Sequence, residues 1–153
     1  MKKAVFISCM LMLCGLPLIS KAQLAYCNEE GSLVSIRNTL KGNTEELIFT
    51  FKQAAEPIVS DNVGKPPFTN YGGDKVRVKG SIFREIHFQS VNWTCKTRNQ
   101  VKYDSLVTDI KETERFEGYI TYVVGLAKGV KFDKQLTENG AKTRKIIYRF
   151  KKV

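Results

Sequence analysis

The chain predicts an all-β fold: a β-sandwich or partly open barrel of short, mostly antiparallel strands. Three observations point to it. Apolar and β-branched residues recur in short runs of period two. Gly, Pro, Asn and Asp separate those runs as turn signals. Beyond the N-terminal apolar run, no segment keeps a convincing helical period.

The strongest strand signal spans residues 115–126, where β-branched and aromatic residues dominate and Gly118 and Gly125 lie near the ends. Phe116 and Glu117 precede Gly118, which predicts a bulge or tight turn at the strand entry. Ile120, Tyr122, Val124 and Leu126 fall on one face and point to the core; Tyr119, Thr121 and Val123 fall on the other. That second face is not polar enough for a fully wet surface, so the strand is expected to be central.

The N-terminus reads differently. Lys2 and Lys3 precede an apolar run from Ala4 to Ile19, followed by Ser20-Lys21-Ala22. This is the layout of a secretory signal peptide cleaved after Ala22, giving residues 1–22 as signal and 23–153 as one domain. An N-terminal membrane anchor is the alternative, but the run is at the lower limit of spanning length and contains Gly15 and Pro17. Tyr26 before Cys27 does not suit a lipobox.

Removing the signal takes Cys9 and Cys14 with it and leaves Cys27 and Cys95. Export places these in an oxidising compartment, periplasmic or extracellular, where one disulfide between them is expected. Its closed loop would stabilise the fold by about 4 kcal/mol on the chain-entropy model. Two unpaired thiols are the alternative, because spacing does not prove a pairing. Trp93 is placed to pack on such a bond.

The formal charge is +10; without Lys2, Lys3 and Lys21 there are 22 basic residues against 15 acidic, a net of +7. Such charge attracts anionic polymers and allows peripheral contact with a membrane surface. Nucleic acid is its usual partner inside a cell, but export argues against that here. The lysines are spread along the chain rather than clustered, so solubility alone accounts for them.

The remaining elements follow in order. Val34 and Ile36 alternate with polar residues over 32–39, a strand ending at the Lys41-Gly42-Asn43 turn. Leu47, Phe49 and Phe51 share a face of the next strand. Pro57-Ile58-Val59 is a short extended piece that Pro57 would keep at a sheet edge. Residues 61–73 are rich in turn formers and carry Phe68 and Tyr71, which either plug the core or present a binding surface; isolated aromatics favour plugging. Residues 75–79 alternate strictly up to Gly80, a half-buried strand with a basic outer face. In 82–91, Phe83, Ile86 and Phe88 keep no single period, which predicts a kink near Arg84. Residues 106–114 read as a weak strand. Val130 and Phe132 mark a short strand, and Glu138-Asn139-Gly140 a turn. The closing strand, 145–150, turns Ile146, Tyr148 and Phe150 inward.

Chemistry-bearing residues are few. His87 is the single histidine, so a histidine-based metal site lacks converging ligands and a structural or surface role is expected. A Cys–His nucleophile pair would need a free thiolate in an exported chain. No serine lies in a nucleophile-elbow pattern, and no loop has the form of a phosphate cradle. No cofactor and no metal is expected. Paired carboxylates are the remaining route to hydrolysis. Glu112 and Glu114 would share a face of an extended segment. Asp61 and Asp74 flank the Gly/Pro loop. Glu117 reads as a partly buried carboxylate accepting backbone N–H bonds at the turn, in preference to a catalytic group. Binding residues are expected at Phe68, Tyr71, Asp74 and Glu117, with no catalytic residue.

Several features in sequence order resemble the AMIN-like domain of exported bacterial envelope proteins. They are the strand 47–51, the segment 57–67, the strand ending at Gly80, Ile86-His87-Phe88, Phe116-Glu117-Gly118 leading to Val124-Gly125-Leu126, and the closing strand 146–150. The closing strand is more basic than that pattern. The resemblance implies a β-sandwich that binds a cell-wall component such as peptidoglycan, or an envelope protein, without transforming it. A small secreted inhibitor or interaction module is the alternative function, with the 64–73 loop as its contact; an unrecognised hydrolase is the third.

Overall fold

The computed structural model describes residues 31–52, 59–91, 94–95, 99–103 and 105–153. The signal segment, Cys27, Pro57 and Trp93 lie outside them. The strands in chain order are β1 (Leu33–Lys41), β2 (Thr44–Lys52), β3 (Val59–Val63), β4 (Phe68–Thr69), β5 (Lys75–Val76), β6 (Ile82–Phe88), β7 (Asn99–Gln100), β8 (Val107–Phe116), β9 (Tyr119–Leu126), β10 (Val130–Asn139) and β11 (Thr143–Lys152). No helix occurs among the described residues.

Two main sheets form an all-β sandwich that does not close into a barrel. The larger has the order β10-β11-β2-β1-β7 and the smaller β3-β6-β9-β8. All pairings in them are antiparallel except β1 with β7. Tight hairpins set much of the register. Gly42 (φ 60°) takes the first central position between β1 and β2. Glu117 (φ 44°) and Gly118 (φ 83°) both take positive φ between β8 and β9. Two positive φ angles in a row match the right-handed twist of the flanking strands, which is why a two-residue turn works here.

Period-two alternation supplies the core. Leu47, Phe49 and Phe51 of β2 and Ile146, Tyr148 and Phe150 of β11 line one sheet; Ile86 and Phe88 of β6 and Ile120, Tyr122, Val124 and Leu126 of β9 line the other. Phe49 bridges the layers, with its ring centroid 4.9 Å from Phe88, 5.6 Å from Tyr122 and 6.0 Å from Tyr148. Each such pair adds about 0.5–1.5 kcal/mol beyond area burial. The strand β9 is central, between β6 and β8, with the expected face inward.

Three expectations are corrected. β6 runs unbroken against β9 from Ile82 to Phe88, with no kink at Arg84. The period is broken only in residue type: Arg84 faces inward with Ile86 and Phe88, and Phe83 faces outward. Arg84 is tolerated there because Asp61 of β3 forms an ion pair with it and its guanidinium lies 4.2 Å over the Phe132 ring. Burial lowers the Arg84 pKa from its ordinary value. Second, residues 75–79 form only the two-residue β5, paired to β4 in a separate ribbon. Third, Glu112 and Glu114 do not share a face. Thr113 is an extra residue in β8, so Glu112 pairs with Tyr122 and Glu114 with Thr121. A bulge of one residue sends the next side chain to the opposite side.

Candidate functional site

The segment from Gly64 to Gly80 leaves the smaller sheet, folds into the β4–β5 ribbon and returns across the outer face of the same sheet. Each end is pinned. Gly64 N–H donates to Phe83 O at 3.0 Å. At the return, Asp109 Oδ2 accepts from Lys79 N–H at 3.0 Å, and Thr108 Oγ1 donates to Lys79 O at 2.8 Å. The tip is braced by itself: Asp74 N–H donates to Asn70 Oδ1 at 2.8 Å, and Asn70 Nδ2 donates to Asp74 Oδ2 at 3.1 Å. Phe68 anchors the middle, 8% exposed and edge-on to Phe83 at 5.2 Å. The outward side of β6, only half-polar in sequence, is thereby partly covered.

The strap roofs a polar groove of about 300 Å³. Its floor is the outer face of β6, β9 and β8, with Glu85, His87, Thr121, Val123, Thr113 and Glu114; its wall is Lys65, Pro67, Phe68, Thr69, Asn70 and Tyr71. Thr121 Oγ1 donates to Glu114 Oε2 at 3.3 Å, and His87 Nδ1 lies 3.0 Å from Thr121 Oγ1. With that hydroxyl hydrogen committed to Glu114, Nδ1 is the donor and Nε2 faces Glu85 Oε2 at 3.9 Å. The bulged Thr113 closes the floor by donating to Thr121 O at 3.4 Å.

The groove ends at an aromatic platform. Tyr71 stacks on Phe116 with centroids 5.2 Å apart and planes 8° from parallel. Tyr71 is 68%, Phe116 45% and Tyr119 50% exposed. Phe116 and Tyr119 are cross-strand partners and so share the outer face. Three exposed rings beside a hydrogen-bonding groove form a surface that ordinary folding demands leave unexplained.

The expected binding residues separate here. Phe68 and Tyr71 meet at the groove: Phe68 plugs the strap onto the sheet and Tyr71 presents its ring. Asp74 is exposed and serves as the turn brace. Glu117 is exposed at the hairpin tip rather than partly buried, because its αL position turns the side chain away from the sheet, and it does not line the groove. Cys95 is buried and its N–H donates to Leu33 O at 2.9 Å. Nothing in the sequence marks Glu85, His87, Glu114 and Thr121 as one cluster. The signal present was the alternation Glu85/His87 and Thr121/Val123, which places each pair on its strand's outer face; only the order β6-β9-β8 joins them.

Chemically, the cluster offers donors and acceptors rather than a nucleophile. Thr121 is 6% exposed and both roles of its hydroxyl are used. Among the described residues, no group of three or more His, Cys, Asp or Glu is placed to hold a metal ion. No protein-family model matches the chain, and no curated protein or solved structure matches it either.

Proposed function

We propose that this chain is an exported, non-catalytic binding module of the cell envelope, and that it holds a glycan such as peptidoglycan in the roofed groove. The observation behind this is the Tyr71–Phe116 stack at the groove mouth. A sugar ring presents an apolar C–H face and a rim of hydroxyls. An exposed aromatic plane suits the first, and Asn70, Glu85, His87 and Glu114 suit the second. The signal-like N-terminus and the resemblance to AMIN-like domains agree with an envelope location. The net positive charge adds long-range attraction to anionic wall polymer.

Pull-down on purified peptidoglycan across a salt titration tests the reading. Specific binding persists at about 0.5 M salt, where exposed charges are screened beyond a few ångströms, and is lost with Tyr71→Ala. Retention that vanishes at modest salt, or that ignores Tyr71→Ala, sinks it. A second reading, a secreted inhibitor or protein-interaction module, rests on the same braced and exposed tip. It would keep the Tyr71 dependence while showing no affinity for glycan.

A further inference from the structure

A second cavity lies on the other side of Phe68, and its chemistry is different. It measures about 610 Å³, within the range of roughly 300–1,000 Å³ that accepts a small organic ligand. Phe68, Phe83, Val76 and Val78 supply apolar surface. Phe83, Val76 and Val78 are only half-buried, so the strap leaves part of that surface uncovered. The strict alternation of residues 75–79 turns the valines in and sets Lys75, Arg77 and Lys79 at the mouth, joined by Lys111 from β8.

The charge there is unbalanced. Among the described residues, Asp109 is the one carboxylate lining this cavity. It is 6% exposed and already accepts from Lys79 N–H and Ile110 N–H, with Lys111 Nζ at 3.6 Å. Lys75, Arg77 and Lys79 form no side-chain ion pair among the described residues. An apolar interior behind a surplus of cations is complementary to one kind of molecule, a hydrocarbon chain ending in an anion.

We propose that this cavity binds a free single-chain carboxylate, the chain lying along Val76, Val78 and Phe83 and the head held by Lys75, Arg77 and Lys79. The cavity shares Pro67 and Phe68 with the glycan groove, but the chain and head contacts named here lie outside that groove, so each reading can fail without the other.

Isothermal titration calorimetry of the full mature chain with laurate, below its micelle concentration, is the test. Laurate binds with one site. Each methylene removed on the way to octanoate weakens binding about fourfold. Dodecyltrimethylammonium does not bind. The exposed triple change Lys75→Ala, Arg77→Ala, Lys79→Ala weakens laurate at least tenfold while leaving dodecanol binding and the melting temperature unchanged. Val78→Asp abolishes both. The proposal is overturned if laurate gives no heat, if the cationic amphiphile binds equally, if the triple variant binds laurate as before, or if only vesicles of diacyl phosphatidylglycerol retain the protein.

Discussion

The carbonyl of Lys79 occupies the space in which a side chain at Gly125 would stand. A Cβ there would lie 2.9 Å from the Lys79 carbonyl carbon and closer still to its oxygen. Gly80 completes the crossing, with φ 153° and its own hypothetical Cβ 2.9 Å from Gly125 Cα. Two glycines therefore let one backbone lie directly on another, and this is where the strap is fastened.

Gly125→Ala forces those backbones apart. We expect a loss of about 3 kcal/mol in denaturant unfolding, at the upper end of overpacking costs, with faster proteolytic cleavage within residues 65–79. Gly42→Ala is the comparison. Its φ is 60° but nothing lies within 4 Å, so only conformational strain of about 1 kcal/mol applies. Equal losses at the two sites would show that crossing contacts do not govern the strap.

The Asp61–Arg84 pair lies between the sheets with side chains only 19% and 15% exposed. Removing one partner leaves a desolvated charge, so Asp61→Leu should cost about 3 kcal/mol. Asp61→Leu combined with Arg84→Met removes both charges and should recover most of that loss. A double variant no more stable than the single one would mean that the guanidinium stacking on Phe132 matters more than the pairing.

Tyr122 and Tyr148 have pKa values raised well above the ordinary 10.0, in each case chiefly by burial. Below pH 10 both rings are neutral in the folded and unfolded chain, and stability does not depend on them. Above pH 10 the unfolded chain loses these protons first, so stability falls by about 1.4 kcal/mol per pH unit for each ring. Chemical unfolding between pH 9 and 11 should show the decline setting in, about 1.4 kcal/mol per ring across that window, and each Tyr→Phe change should remove its share. Tyr148→Phe should also be neutral or up to about 1 kcal/mol stabilising at pH 7, because its buried hydroxyl meets no hydrogen-bonding group among the described residues.

Cys95 is buried at the end of the sandwich beside Leu33. We expect non-reducing peptide mapping of exported protein to recover Cys27 and Cys95 in one linked peptide, and reduction to lower stability by about 4 kcal/mol. Two free thiols by mass would leave the N-terminal segment without that tether.

Local patterns exposed most of the fold and little of the site. The inward face of residues 120–126 was plain because alternating apolar residues mark a half-buried strand wherever it lies in a sheet. Arg84 hid the continuity of β6, since its partner Asp61 belongs to another strand. Thr113 hid the true facing of Glu112 and Glu114, since a bulge leaves no reliable mark in residue type. Glu45 shows the same limit. It is wholly buried, and its oxygens accept from Asn38 Nδ2, Ser105 Oγ and Val107 N–H. Two of those donors lie some 60 residues away. Tyr71 and Phe68 were legible because they sit on one loop. His87, Thr121 and Glu114 come from three strands, and only the pairing order brings them together.

The irregularities of β8 have one more effect. It is an outermost strand of its sheet, with register shifts at Thr108 and Thr113 and with Lys111, Glu114 and Arg115 exposed along it. A flat, regular border would offer its free backbone groups to any passing extended chain. This border is twisted twice and charged, so a neighbouring copy finds no straight row to dock on. The extra residues that obscure the strand in the sequence thus also guard this border against self-templating.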